Sequence, residues 1–273
     1  MRHTFPGKLL LFGEYLVLQQ GAALALPDNR YHTRWENKNN TDKDLIDYLQ
    51  YLKQIDSLAE YLNLTRLEKH VHAGWHLESN LPQHKGLGSS ASIVAALYDR
   101  YKIKKDSEVT MDELQEVFAS MEHYMHGKSS GFDPLPIYFN QPILRKNNQS
   151  VIVNSTLPCL DNWRIELVDS ETERQDGAGV DRFLTRIKED KDFASKVDTL
   201  TKVNNKLVEA IIKNEQRIAE NLLNTFSENQ FFLFADWIPE NIKERWDQNR
   251  QEENSAFKML GAGGGGFFLK IHF

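Results

Sequence analysis

Two glycine clusters combine the backbone freedom and the side chains that could hold a charged ligand. The first, Gly86-Leu87-Gly88-Ser89-Ser90-Ala91-Ser92, stands just before a segment of helical periodicity. Glycine admits positive φ and lets main chain approach a ligand closely. A helix start adds unpaired N–H groups and the positive end of its dipole, which suit an anion. Hydroxyls at Ser89, Ser90 and Ser92 supply further donors, and one of them could ligate Mg2+. The segment reads either as a phosphate cradle or as an ordinary turn with helix-capping serines. The second cluster, Gly261-Ala262-Gly263-Gly264-Gly265-Gly266, runs into an apolar strand-like stretch. So much glycine costs too much backbone entropy to be filler, which points to close approach to a ligand or to another loop.

Both clusters satisfy the dinucleotide pattern G-x-G-x-x-G/A, but that loop must follow a strand, open a helix and be trailed by an acid about 20 positions on. The second cluster opens a strand instead, and no strand is evident before the first. The P-loop pattern G-x-x-x-x-G-K-[ST] does not occur. A dinucleotide oxidoreductase is therefore set aside.

The elements that must position these loops follow from periodicity. Residues 9–12 and 22–26 are short apolar runs bounded by Gly13, Gly21 and Pro27, which predicts two strands, followed by a polar stretch over 36–43. Leu45, Leu49, Leu52, Ile55, Leu58 and Leu62 recur at steps of three and four and predict one helix from Asp44, with Thr41 or Asp42 as N-cap. Residues 71–77 alternate as a strand. A second helix is predicted from Ser89 through Tyr101, and a third opens at the capping box Thr110 to Glu113 and runs through Met125. Residues 137–139, 143–144, 151–153 and 165–168 read as strands, 180–250 as mostly helical, and 267–271 as a last strand. Strands, helices, strands, helices and a final strand make an α+β chain, not a regular βαβ alternation.

The chain has 273 residues, with 39 acidic against 33 basic side chains and a net charge of −6. That sign argues against a nucleic-acid partner. No run of about 18 apolar residues and no secretory leader pattern is present, so no membrane partner and a cytoplasmic location are expected. Cys159 is alone, which excludes an internal disulfide and a Cys-rich zinc site.

Three segments, in this order, resemble the GHMP kinases, the small-molecule kinases that include the galactose, homoserine, mevalonate and phosphomevalonate enzymes. Residues 6–15, Pro-Gly-Lys-Leu-Leu-Leu-Phe-Gly-Glu-Tyr, look like the family's first motif. Residues 81–91, from Leu81-Pro82 through the first glycine cluster, look like the second, the nucleotide phosphate loop, and residues 258–266 look like the third. A helix position at Glu122 followed by His126-Gly127-Lys128-Ser129-Ser130-Gly131-Phe132-Asp133 resembles the mevalonate kinase arrangement of a glutamate before an HG..SG.D segment.

The resemblance implies a two-domain α+β fold, ribosomal protein S5 domain 2-like over 1–155 and ferredoxin-like over 156–273, with ATP and substrate in the cleft between. It implies Asp133 as catalytic base with Lys8 beside it to stabilise developing charge. Residues Gly86, Leu87, Gly88, Ser89, Ser90, Ala91 and Ser92 would bind the ATP phosphates, and Ser90 and Glu122 would ligate Mg2+. Glu14 and the loop Gly261, Ala262, Gly263 and Gly264 would serve the substrate side or the loop's own structure. The implied reaction is ATP-dependent phosphorylation of a small hydroxylated carboxylate, mevalonate first. Phosphomevalonate is the rival, because Glu14-Tyr15 and Phe132-Asp133 look more like that branch. A silent member of the fold that binds nucleotide or metabolite without turnover is the alternative from another class, and a homodimer is left open. Leu260 stands where the family usually has Thr, and Phe267 where Cys is frequent. Most members continue for a helix and a strand after the third motif, so either this sequence is a shortened one or the C-terminal part lacks its last layer.

Overall fold

A computed structural model describes residues 4–38, 42–153, 156–172, 178–261 and 263–273. The chain divides into two compact units, each woven from separate stretches of sequence. The first comprises Met1–Leu9, Leu26–Gln83 and Leu87–Gln141. Its elements are β1 (Thr4–Phe12), β2 (Ala23–Asn37), α1 (Lys43–Leu52), α2 (Leu64–His72), β3 (Trp75–Ser79), α3 (Ser89–Tyr101), α4 (Met111–His126) and α5 (Pro134–Phe139). Strands β1 and β2 begin or end in the second unit.

Strand β2 is one element of 15 residues where the sequence suggested a short run and a polar loop. Its polar half pairs antiparallel with β3, from Thr33 opposite Ser79 to Asn37 opposite Trp75. That half alternates in the way of a half-buried strand: Thr33 reaches the Ser92 hydroxyl at 2.7 Å and Trp35 Nε1 donates to Ala96 O, both on α3. Asp42 does cap α1, accepting the Leu45 N–H; Thr41 lies outside the described residues. The single helix expected over 44–62 is interrupted. Leu58 and Leu62 are buried as the spacing requires, but Asn63 N–H donates to Tyr101 O and Ile103 N–H to Tyr61 O. Main-chain pairing with the end of α3 thus wins over helical propensity, which is the weaker term. Val71 belongs to α2, and the strand expected at 71–77 starts only after Gly74, whose φ is 84°.

Helix α4 opens on the expected capping box, with Thr110 accepting from Glu113 N–H and Glu113 from Thr110 N–H. Residues 137–139 are helical and not a strand. Pro134 sits in the first turn of α5, where its fixed φ favours a helix, and Leu135, Ile137 and Tyr138 are buried. A run of three apolar residues cannot by itself decide between the two periods. Tyr98, Phe118 and Tyr138 meet edge to face at 5.2 to 5.6 Å and bind α3, α4 and α5 together.

The second unit comprises Leu10–Ala25, His84–Gly86 and Pro142–Phe273. It adds β4 (Ile143–Lys146), β5 (Gln149–Ile152), β6 (Arg164–Asp169), α6 (Ala178–Glu189), α7 (Lys191–Ile212), α8 (Gln216–Leu233), α9 (Glu240–Asn249), β7 (Ser255–Met259) and β8 (Phe267–His272). The start of β2 pairs with β4, and β4 with β5. A separate antiparallel sheet runs β6-β8-β7. Its core is aromatic: Phe183, Phe193, Phe226, Phe234 and Trp246 are all at most 2% exposed. Among the described residues no helix is long and apolar enough to cross a membrane.

Candidate functional site

The first unit brings four of the sequence's candidate segments together. Lys8, on β1, is buried, and its N–H donates to Leu87 O at 2.9 Å, so the strand and the first glycine cluster are in register. Gly88 follows with φ 78° and ψ 40°. A Cβ there would fall 2.7 Å from Lys8 Cγ, so the left-handed backbone and the passing lysine stem both require glycine. Helix α3 then starts at Ser89 with no side chain capping its first turn, which leaves main-chain N–H groups for an anion.

Lys8 Nζ lies 2.7 Å from Asp133 Oδ2, and that carboxylate keeps 40% of its side-chain surface exposed while Lys8 keeps 6%. Asp133 is the residue before Pro134, at the head of α5. Glu122 projects from α4 and is 3% exposed. It accepts the Ser129 hydroxyl at 2.5 Å. Burial, and then the nearby Asp133 charge, push the Glu122 carboxyl up to about 8, against the pull of Ser129 and Lys8. The loop between α4 and Asp133 is pressed onto α4 itself. Gln115 Nε2 donates to Ser130 O, and a Cβ on Gly131 (φ 66°) would lie 1.9 Å from Gln115 O.

Among the sequence candidates, Lys8, Asp133, Glu122 and the stretch from Leu87 to Ser92 therefore share this unit. Ser89 and Ser90 are half-buried at the helix start and Leu87 and Ala91 are buried. Ser92 faces the other way: it is fully buried, its hydroxyl donates to Ser89 O, and it meets Thr33 on β2. Ser129 and Gly131 were quoted in the motif without a role; the serine spaced seven residues after Glu122 was the available signal.

The remaining candidates fall in the second unit. Gly86 has φ 87° there. Glu14 and Lys258 form an ion pair, with side chains 1% and 0% exposed, and Lys258 Nζ also donates to Met259 O. Gly261, Gly263 and Gly264 lie in the turn of the β7–β8 hairpin, all with positive φ; Ala262 lies outside the described residues. The turn spends its polar groups on protein. Gly264 N–H donates to Trp237 O, Gly266 N–H to Thr172 O, and Ser170 N–H to Gly266 O. A Cβ on Gly263 would sit 2.4 Å from Met259 Cε. Leu260 is buried.

Residues 48–141 match the family of GHMP kinases N terminal domains. The chain is 24% identical over 136 residues to the mevalonate kinase of Archaeoglobus fulgidus, a match that covers 47% of each protein; it thus spans about half the length of that curated relative. In solved structures the same fold recurs. L. major mevalonate kinase in complex with R-mevalonate aligns over 99% of this chain and 86% of that one, with TM-score 0.70 and 19% identity. Streptococcus pneumoniae phosphomevalonate kinase aligns over 99% and 90%, with TM-score 0.64 and 18% identity. Lactococcus lactis galactokinase complexed with galactose aligns over 99% and 85%, with TM-score 0.67 and 14% identity. The chain thus shares the fold of these structures, an α+β architecture.

Proposed function

We propose that this chain transfers the terminal phosphoryl group of ATP to a small alcohol, with mevalonate the leading acceptor. The observation that carries the reading is the half-open pair Lys8–Asp133 at 2.7 Å, set against the Gly88 turn. Phosphoryl transfer asks a protein for positioning, for compensation of charge and for acceptance of the alcohol proton. Asp133 is accessible and takes that proton as the alcohol oxygen attacks the terminal phosphorus. Lys8 lies beside it and offsets the charge that develops. Uncapped amides at the start of α3, with the Ser89 and Ser90 hydroxyls, hold the phosphate chain.

The donor set fits Mg2+. Glu122 is a buried carboxylate that Ser129 and Lys8 only partly compensate, and Ser90 offers another hard oxygen. Among the described residues no group of three His, Cys, Asp or Glu is arranged for a metal, as expected of an ion that takes most of its ligands from phosphate and water. When bound, Mg2+ would supply charge neutralisation on the phosphates, with Ser90 and Glu122 as its protein ligands.

Phosphomevalonate is the second acceptor, favoured by the Glu14-Tyr15 and Phe132-Asp133 wording and by the fold shared with Streptococcus pneumoniae phosphomevalonate kinase. Release of ADP with Mg2+ and ATP, measured against mevalonate, its 5-phosphate, galactose and homoserine side by side, tests the reading. Turnover with mevalonate above the others is the expected result; no turnover with any of them leaves a binding protein on a kinase fold.

A further inference from the structure

The end of α3 and the start of α2 hold two guanidiniums that, among the described residues, no acid pairs. The Arg100 guanidinium lies over the ring of Trp75 at 4.0 Å and of Trp35 at 4.8 Å. Arg66 and Arg100 approach the Tyr101 ring at 5.9 and 6.0 Å. The His70 ring is 3.0 Å from the Tyr101 hydroxyl. Acids on the surrounding elements are already engaged: Asp99 with Lys102, Glu68 with Lys53, and Glu78 with Arg34 and Lys38. Among the described residues no ion pair joins Arg66 or Arg100 to a carboxylate, and Arg100 Nε is buried without a hydrogen-bond partner.

A helix end favours one cation through its dipole, and stacking on indole rewards the face of a guanidinium. Neither explains two guanidiniums gathered without a counter-charge. Stacking leaves the in-plane N–H groups of Arg100 as its bonding surface, and with Nε buried it is the Nη pair that matches the paired oxygens of a phosphate. Burial and, to a lesser degree, the Arg66 charge hold Arg100 below its usual value, and burial with both arginines lowers His70, so the two guanidiniums and the imidazole feel one another. A bound dianion would relieve the crowding of the guanidiniums.

We propose that Arg100 and Arg66 bind the phosphate group of a small molecule, in a site walled by Trp35, Trp75 and Tyr101 and separate from the phosphate loop. Ser90 and Arg100 lie at opposite ends of α3, about 15 Å apart along its axis at the usual helical rise. The site goes beyond the kinase reading and does not depend on it.

Tryptophan fluorescence of the full chain, titrated with inorganic phosphate, acetate and chloride at constant ionic strength, tests the proposal. A saturable response to phosphate is expected in the parent protein and in Lys8→Met. Arg100→Met and Arg66→Met should each weaken it at least tenfold, the loss of a charge-assisted hydrogen bond. Arg66 is exposed, so its variant reports even where Arg100→Met fails to fold. Trp75→Phe should remove most of the signal. A saturable response that survives both arginine changes, one lost in Lys8→Met, or a drift shared with chloride overturns the site; saturation by acetate as tight as by phosphate overturns the assignment to phosphate.

Discussion

Lys8–Asp133 and Lys258–Glu14 are the same kind of pair in two surroundings. In the second unit both partners are sealed, at 0% and 1% side-chain exposure, and Lys258 also serves Met259 O and lies 5.7 Å from the Phe12 ring. Such a pair is closed off from solvent, and it ties β7 to the turn after Gly13. In the first unit only the lysine is sealed, and the carboxylate is 40% exposed. Exposure of one partner turns a fastener into a group that can meet a substrate. A buried pair is weak evidence of net stability, yet removing one member is costly because the other stays charged.

The largest effect that would separate the two pairs is kinetic. Asp133→Asn should lower turnover by about 100-fold or more, the range of a lost general base, and Lys8→Met by about tenfold or more. A rate within twofold of the parent removes Asp133 from the chemistry. In the sealed pair, Lys258→Met should cost about 3–5 kcal/mol of stability in chemical denaturation. The double change Lys258→Met with Glu14→Gln should cost less than the sum of the single ones, and strict additivity would deny the coupling.

The glycine turns extend the same contrast. Gly131→Ala forces a Cβ to within 1.9 Å of Gln115 O at a positive φ, so a loss of about 2–4 kcal/mol is expected, with the loop before Asp133 displaced. Gly264→Ala meets no atom within 4 Å and has only its φ of 74° against it, so about 1 kcal/mol is expected. Equal losses at the two positions would show that backbone conformation, and not close approach, dominates both. The smallest effect concerns pH. Hydrogen bonds from Lys38 and then Arg34 lower Glu78 from 4.5 to about 2. Its contribution is therefore complete above pH 4.5 and fades as pH falls through about 2. Glu78→Gln should thus narrow the drop in urea midpoint between pH 5 and pH 2, by a small amount because the group is exposed.

Local signals were legible wherever the physics is local. Asp42 capping α1, the Thr110–Glu113 box and the start of α3 at Ser89 depend on residues three or four apart. Glycine at 88 and 263 announced close approach, though only the structure names the neighbours as the Lys8 stem and Met259. Misread segments share a cause. Residues 61–63 leave the helical pattern because the end of α3 supplies main-chain partners, and 137–139 become helical because Pro134 and burial favour it.

The order of residues along the chain was enough to establish an α+β protein with two glycine-built turns, a helix opening after the first and a set of polar groups suited to phosphate. Tertiary structure alone decided which lysine faces an open carboxylate and which is locked away, that Ser92 turns inward to Thr33, and that Arg100 rests on two indoles. Residue type sets what a side chain can bond to; burial and neighbours far along the chain set which of those bonds remains for a ligand.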